Sequence, residues 1–126
     1  MKSIVLDIDN TICEKRGDKP YSELAPFPEV VDRIRVYKEK GYVIILQTAR
    51  QMNTYKNSIG KINKHTLPPL IEWLEKWDIP FDEIYMGKPW CGHGGFYVDD
   101  RAIRPSEFMA LSEEDILKKL EEEPWK

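Results

Sequence analysis

The sequence predicts an α/β fold with a central parallel sheet, and two observations lead to it. Short apolar segments alternate along the chain with longer segments of helical periodicity. The segment Tyr42–Leu46 is nearly continuously apolar, which is typical of a strand buried in a parallel sheet. Strands that alternate with helices favour such a sheet with right-handed crossovers.

The first half of the chain supplies two strands and the helix between them. Lys2–Leu6 is the first predicted strand. Pro28 and Glu29 suit the first turn of a helix, which should end near Gly41. The predicted inward face of this helix consists of Val30, Val31, Ile34 and Tyr37. The second strand, Tyr42–Leu46, follows directly.

The second half continues the alternation. Residues 51–66 are polar and predict no clear element, whereas Leu67–Trp77 predicts a helix. Its predicted inward residues are Leu70, Ile71, Leu74 and Trp77. Ile84–Met86 and Phe96–Val98 are the predicted third and fourth strands. Ser112 begins a capping-box pattern that should start a last helix, with Ile116, Leu117 and Leu120 on its apolar face.

Size and composition limit the function classes. The chain has 126 residues, 41% of them hydrophobic, which suits a single domain over residues 1–126. Its net charge of −3 makes nucleic acid an unfavourable partner. No apolar segment approaches the ~20 residues of a membrane span. We therefore expect a cytoplasmic protein in which Cys13 and Cys91 are thiols.

Polar side chains stand at the end of every predicted strand. Asp7 and Asp9 follow the first strand, Thr48 the second, Lys88 the third and Asp99-Asp100 the fourth. Because parallel strands end at the same edge of a sheet, these residues should meet at one rim, where α/β sheets bind ligands.

Several carboxylates at one rim need a compensating charge. Two carboxylates ~4 Å apart repel by about 4 kcal/mol at an effective dielectric constant of 20. Mg²⁺ suits an all-oxygen site of this kind and leaves room for a phosphate. Lys88 adds positive charge and Thr48 adds a hydroxyl donor. Together they indicate a site for a phosphoryl group.

The ordered set of motifs resembles the haloacid dehalogenase (HAD) superfamily of phosphotransferases. Asp-x-Asp-x-Thr at Asp7–Thr11 comes first, and Thr48, Lys88 and Asp99-Asp100 follow in the family's order. The resemblance spans residues 4–101 and implies a Rossmann-like (HAD-like) three-layer fold. It implies a Mg²⁺-dependent phosphatase that hydrolyses a phosphate monoester through an aspartyl-phosphate.

The resemblance also implies a role for each residue. Asp7 would be the nucleophile, and Asp9 would be the general acid and then the base. The phosphoryl group would be held by Thr48, Lys88, Asn10 and Ala49. The metal would be bound by Asp7, the Asp9 backbone carbonyl, Asp99 and Asp100.

The substrate is less constrained. Thr48-Ala49-Arg50 and the short chain resemble small phosphatases of capsular polysaccharide biosynthesis, which implies a sugar phosphate or related metabolite. No segment is long enough for a separate cap domain, although residues 12–28 could form a small flap. The open site would be filled by a large substrate or covered by a subunit of a homo-oligomer. Its predicted substrate rim consists of Arg50, Gln51, Trp90 and His93.

Three alternatives remain beside this interpretation. A response-regulator receiver also combines acids, a Thr and a Lys-Pro pair, but carries its phospho-acceptor on a middle strand, where this chain has Thr48. A non-catalytic scaffold would show no turnover. Cys91 and His93 could belong to a zinc site with Cys13 and His65; a glycine-bearing loop near the active site is the alternative for residues 90–95.

Overall fold

The computed structural model describes residues 2–122, which form two compact units. The first unit ends at Trp90 and contains β1 (Ser3–Leu6), α1 (Pro28–Glu39), β2 (Val43–Thr48), α2 (Ile59–His65), α3 (Leu67–Lys76) and β3 (Glu83–Met86). It also contains a 3₁₀ turn at Tyr21–Glu23. The second unit begins at Cys91 and contains α4 (Pro105–Ala110) and α5 (Glu113–Glu121).

A three-stranded parallel sheet organises the first unit and confirms the predicted α/β class. Its strand order is β1-β2-β3, and Leu6 pairs with Leu46, which pairs with Ile84. Both crossovers step in the same direction, and the right-handed rule places their helices on one face of the sheet. The first two strands differ slightly from their predicted bounds: β1 begins at Ser3, and β2 runs from Val43 to Thr48.

The side chains of β2 show that one face of the sheet carries the core. Ile44, Leu46 and Thr48 are buried, while the residues between them are only half-buried. On the less covered face, Val5 of β1 is 57% exposed and Tyr85 of β3 is 54% exposed. The sheet is therefore packed with side chains on one face more than on the other.

The first crossover helix follows the sequence prediction. Pro28 occupies the first turn of α1, where a missing N–H costs no hydrogen bond. The four predicted inward residues, Val30, Val31, Ile34 and Tyr37, are all buried. The helix is capped by Lys40, and Gly41 takes a positive φ of 94° immediately after it, as glycine does after a helix end.

The second crossover contains two helices. The unassigned segment 51–66 holds α2, whose N-cap Ser58 accepts a hydrogen bond from the Lys61 N–H. In α3, Leu70 and Leu74 are buried as predicted, but Trp77 is 39% exposed and Trp73 takes the buried place. The prediction for Trp77 was wrong because the helix ends at Lys76 and because the Trp73 Nε1–H reaches the Leu24 carbonyl, 2.8 Å away.

The predicted fourth strand at Phe96–Val98 is not a strand in the described structure. Phe96 is 80% exposed and Val98 is 88% exposed. The apolar segment is only three residues long, and without a neighbouring strand its backbone groups gain no ladder of hydrogen bonds. The prediction was wrong because strand propensity alone does not supply a pairing partner.

The last helix confirms its predicted start. The Ser112 side chain accepts a hydrogen bond from the Asp115 N–H at 3.1 Å and caps α5. Ile116 is buried, whereas Leu117 is 38% exposed. The preceding helix α4 was not predicted; it begins with Pro105 and buries Phe108.

Candidate active site

Asp7 lies at the carboxyl end of β1 and is half-buried. Burial raises the pKa of its carboxyl above the usual value, against the lowering influence of the Lys88 ammonium and of a hydrogen bond from the Ile8 N–H. The Thr11 hydroxyl donates to Asp7 Oδ2 at 3.4 Å. The Asp7 carboxylate therefore lies in a setting that favours additional positive charge.

The sharp turn after β1 sets the positions of Asp9 and Thr11. The Ile8 carbonyl accepts hydrogen bonds from the Thr11, Ile12 and Cys13 N–H groups at 2.9–3.3 Å. Asn10 takes a positive φ of 59° within this turn, a conformation that asparagine tolerates. The turn thus places Asp7 and the Thr11 hydroxyl on the same side.

Asp9 forms a two-point ion pair with Arg50. Arg50 Nη2 lies 2.7 Å from Asp9 Oδ1, and Arg50 Nε lies 3.2 Å from Asp9 Oδ2. The Arg50 side chain is only 3% exposed. Arg50, which the sequence predicts at the substrate rim, thus has its guanidinium buried against Asp9, because a buried charge requires a paired charge.

The Tyr21 ring contacts the Arg50 guanidinium in a cation–π interaction. Its ring centroid lies 4.2 Å from Arg50 Cζ and 4.5 Å from Arg16 Cζ. Tyr21 belongs to the predicted flap of residues 12–28, which the structure attaches to the site through bridges from Cys13 to Asp9 and to Pro26. Sequence reasoning missed the Asp9–Arg50–Tyr21 contact, since it joins residues far apart in the chain.

Thr48 and Lys88 approach each other at the ends of the neighbouring strands. Thr48 is buried, and its Oγ1 accepts a hydrogen bond from the Arg50 N–H at 3.0 Å. The Lys88 N–H donates to the Thr48 carbonyl at 3.0 Å. Gly87 turns the chain here with a positive φ of 86°, and a Cβ at this position would collide with Cδ1 of Ile59. The Lys88 ammonium is close enough to lower the pKa of the Asp7 carboxyl.

Cys13 and Gln51 are held inside this unit. Burial, and then the Asp9 charge, raises the pKa of the Cys13 thiol to about 11. Gln51 accepts a hydrogen bond from the Thr66 hydroxyl at 2.5 Å, and it lines a cavity of about 50 Å³ with Arg50 and Trp73. Such a volume holds about one water molecule rather than a substrate. Ala49 is half-buried between Thr48 and Arg50.

Asp99 and Asp100 belong to the second unit, and both are exposed. Asp99 Oδ1 accepts a hydrogen bond from the Arg101 N–H at 2.7 Å. The two acids line an open cleft of about 480 Å³ together with Lys119 and Glu122. Trp90 is 40% exposed at the end of the first unit, and His93 is exposed in the second.

A metal fits only part of this donor set. The Asp7 carboxylate and the Asp9 carbonyl are hard oxygen donors of the kind that Mg²⁺ prefers. Over residues 2–122, however, no group of three or more His, Cys, Asp or Glu side chains is placed to hold a metal ion. That finding includes Cys91, His93, Cys13 and His65, so no zinc cluster forms among them. Cys13 and Cys91 are free thiols, as predicted.

One protein of known structure is similar enough to this chain to show a family relationship. A protein from Vibrio cholerae, known from its crystal structure, is 46% identical over 98% of this chain and 99% of its own, with a TM-score of 0.94. The chain therefore belongs to the same family as this protein. No protein-family model matches the chain. No curated protein matches it either.

Two more distant solved structures share the fold. A D,D-heptose 1,7-bisphosphate phosphatase from B. bronchiseptica, complexed with magnesium and phosphate, is 18% identical over 75% of this chain, with a TM-score of 0.50. A chain of the Pnkp1/Rnl/Hen1 complex is 23% identical over 86%, with a TM-score of 0.51. This chain spans 54% and 34% of their lengths. At such identities the likeness shows the HAD-like fold alone.

Among the described residues, no helix is both long enough and apolar enough to cross a bilayer.

Proposed function

We propose that this protein is a Mg²⁺-dependent phosphatase that hydrolyses a phosphate monoester with Asp7 as its nucleophile. The observation that carries the proposal is the setting of Asp7 at the end of β1, within the influence of the Thr11 hydroxyl and the Lys88 ammonium. Thr48 ends the adjacent strand and is linked to Lys88 through its carbonyl. The HAD-like fold and the phosphatase among its distant structural neighbours support the same class.

The proposed reaction has two balanced steps. An Asp7 carboxylate oxygen attacks phosphorus, the bond from phosphorus to the ester oxygen breaks, and Asp9 gives its proton to that oxygen. A water molecule then attacks phosphorus and transfers a proton to Asp9. Inorganic phosphate leaves and the Asp7 carboxylate is restored. Lys88 and Thr48 bind the phosphoryl oxygens, with the N–H groups of Asn10 and Ala49 as further donors.

The ion pair with Arg50 assigns Arg50 a positioning role. Both oxygens of Asp9 accept from Arg50, at 2.7 and 3.2 Å. Asp9 can protonate the leaving group only if one of these oxygens is released from the guanidinium. We therefore propose that Arg50 orients Asp9 and that the longer contact, to Asp9 Oδ2, opens during catalysis.

The metal and the substrate complete the proposal. Mg²⁺ would be held by Asp7, the Asp9 carbonyl, Asp99 and Asp100, and it would neutralise charge on the phosphoryl group. The substrate is a sugar phosphate or a related small phosphate ester, consistent with a site that has no separate cap domain. A role in capsule biosynthesis rests on Thr48-Ala49-Arg50 and the short length of the chain, and it belongs to the same proposal.

The test is phosphate release from a panel of phosphosugars and nucleotides, with Mg²⁺ and with EDTA. We expect turnover only with Mg²⁺ and a loss of at least about a thousandfold in Asp7→Asn, because the nucleophile is removed. The matched control is Asp32→Asn, whose carboxylate is 73% exposed on α1 and should leave turnover unchanged. Near-normal activity in Asp7→Asn would contradict the proposed mechanism.

The same protein can be tested as a receiver. Acetyl phosphate carrying labelled phosphorus would leave a long-lived label on a receiver, whereas the proposed enzyme releases its phosphate at once. Retention of the label for hours, without turnover of any ester, would favour the signalling function.

A further inference from the structure

The outer edge of β1 is open in the first unit. Along residues 2–122, β1 is paired with β2 alone, on one of its two sides. Val5, in the middle of β1, is 57% exposed. An open strand edge presents backbone N–H and C=O groups to any strand that can pair with it. The first unit thus offers a place for a fourth strand.

The second unit contains a segment suited to that place. Phe96, Tyr97 and Val98 have the aromatic and β-branched side chains that favour strands. Phe96 and Val98 are nevertheless 80% and 88% exposed, and the segment is not a strand in the described structure. Two large apolar side chains only two positions apart and at such exposure are typical of a surface that becomes covered.

The connection between β3 and this segment is short. Only nine residues, 87–95, separate Met86 from Phe96. A crossover between parallel strands of one chain takes about a dozen residues or more, usually including a helix. The helices of the second unit come after the segment, at α4 and α5. A short connection that hinders intramolecular pairing favours exchange of the same element between two copies.

We propose that a second copy of this chain supplies Phe96–Val98 as a fourth, parallel strand on the open edge of β1, and that the two copies do so reciprocally. With Val98 level with Leu6, Asp99 of the second copy would stand level with Asp7. The phosphatase site would then take Asp7, Asp9, Thr48 and Lys88 from one copy and the two late acids from the other. This consequence rests on the proposed function, whereas the strand exchange itself does not.

The exchange would also account for the incomplete donor set. No group of three potential metal-binding side chains forms within the part of one chain that the structure describes. A second copy would bring two carboxylates to the rim that already holds Asp7.

Chemical cross-linking tests which copy supplies the strand. In the proposed register Tyr97 stands level with Val5, so the two side chains share one face of the sheet. The variant Val5→Cys/Tyr97→Cys, in a Cys91→Ser background, is treated with a short bis-maleimide and separated on a denaturing gel. Buried Cys13 remains in all variants. We expect a covalent dimer, together with a native mass by light scattering of twice the 14.8 kDa of one chain.

A matched variant controls for exposure. Val36→Cys/Tyr97→Cys moves the first thiol to α1, where Val36 is 45% exposed, and it should give no covalent dimer. A cross-link within one chain in the Val5 variant would overturn the proposal, because the chain's own segment would then occupy the edge. Absence of any cross-link, or a native mass of one chain, would overturn it as well.

Complementation tests the shared site. Asp7→Asn and Asp99→Asn/Asp100→Asn are each expected to be inactive, and the two variants are co-expressed with different tags. In a reciprocal exchange, a mixed dimer contains one site with all acids intact, so we expect about half of the wild-type activity per purified mixed dimer. No recovery despite active wild-type protein would overturn the shared site. An inactive wild-type protein would instead refute the proposed function and leave the cross-linking result to decide the exchange.

Discussion

The two parts of the predicted rim behave differently. In the first unit, Asp7, Thr48 and Lys88 end strands that are paired, and backbone hydrogen bonds fix their positions. In the second unit, Asp99 and Asp100 follow residues 96–98, which are exposed and do not form a strand in the described structure. Both parts carry equally plain motifs in the sequence. The difference teaches that a strand-end motif is positioned by the neighbouring strand and not by its own residues.

The contrast extends to what surrounds each group of acids. Asp9 pairs with a guanidinium that is 3% exposed, and the pair is closed by the Tyr21 ring. The late acids line an open cleft. In the proposed dimer, Asp99 would enter surroundings like those of Asp7.

The two thiols provide the largest expected difference between the units. Because the pKa of Cys13 is raised to about 11, roughly 0.1% of it is thiolate at pH 8. Cys91 is partly exposed. We expect a thiol reagent such as Ellman's to modify one cysteine of the native protein, with Cys13 reacting about a hundredfold more slowly.

The control for this labelling is the Cys91→Ser variant, which should react only after denaturation. If Cys13 reacted in the native variant as fast as in unfolded protein, the flap that covers it would have to be open in solution.

Arg50→Ala should destabilise the first unit by about 2–4 kcal/mol, because it leaves Asp9 without its partner. Arg35→Ala is the control, since Arg35 is an exposed partner of Asp32 and should cost less than about 1 kcal/mol. Urea unfolding of both variants measures the difference. Equal effects would mean that the Asp9–Arg50 pair does not order the rim.

Trp73 in α3 and Trp77 at its C-cap allow a test of how this helix packs. Trp73→Phe removes the buried hydrogen bond to the Leu24 carbonyl and should cost about 1–2 kcal/mol. Trp77→Phe, at the exposed end of the helix, should cost less than about 0.5 kcal/mol. Thermal unfolding monitored by circular dichroism compares them. If Trp77→Phe cost more stability than Trp73→Phe, the inward face of α3 would be the one that periodicity predicted, with Trp77 in the core.

Asp82 gives the smallest expected effect. The pKa of its carboxyl is lowered from 3.8, first by a hydrogen bond from the Ile44 N–H and then by Lys38. Because the folded pKa is lowered, this contribution is present above about pH 4 and is lost as the pH falls through the lowered pKa.

Asp82→Asn should therefore lower the stability by less than about 1 kcal/mol at pH 6, since the pair is partly exposed. The difference from wild type should shrink at pH 3 in urea unfolding. A difference that stayed constant with pH would assign the effect to the lost side-chain shape and not to the charge.

Much of the secondary structure in both units could be predicted from local patterns. The face of α1, the bounds of β3 to within one residue and the Ser112 cap follow from periodicity and capping chemistry. The helix α2 was missed although Ser58 is a capping residue, because its apolar face is short and only Ile62 is buried. Local sequence patterns were sufficient to predict a helix or strand whose apolar face and end residues all lie within that one segment.

The candidate site was predictable only in part. Asp7 and Thr48 were recognised because each ends an apolar strand. The pairing of Asp9 with Arg50 bridges 41 positions, and no spacing rule connects them. Arg50 was assigned to the rim for its polarity, although a guanidinium can be buried when a carboxylate matches its geometry.

By itself, the sequence determined the α/β class and which polar residues follow each apolar segment, because periodicity, capping and strand length are local properties of the chain. Only the tertiary structure decided that Arg50 is buried against Asp9, that Trp73 replaces Trp77 in the core, and that β1 pairs on one side alone within residues 2–122. These outcomes depend on which distant groups meet, since burial and strand pairing are properties of two surfaces and not of one segment.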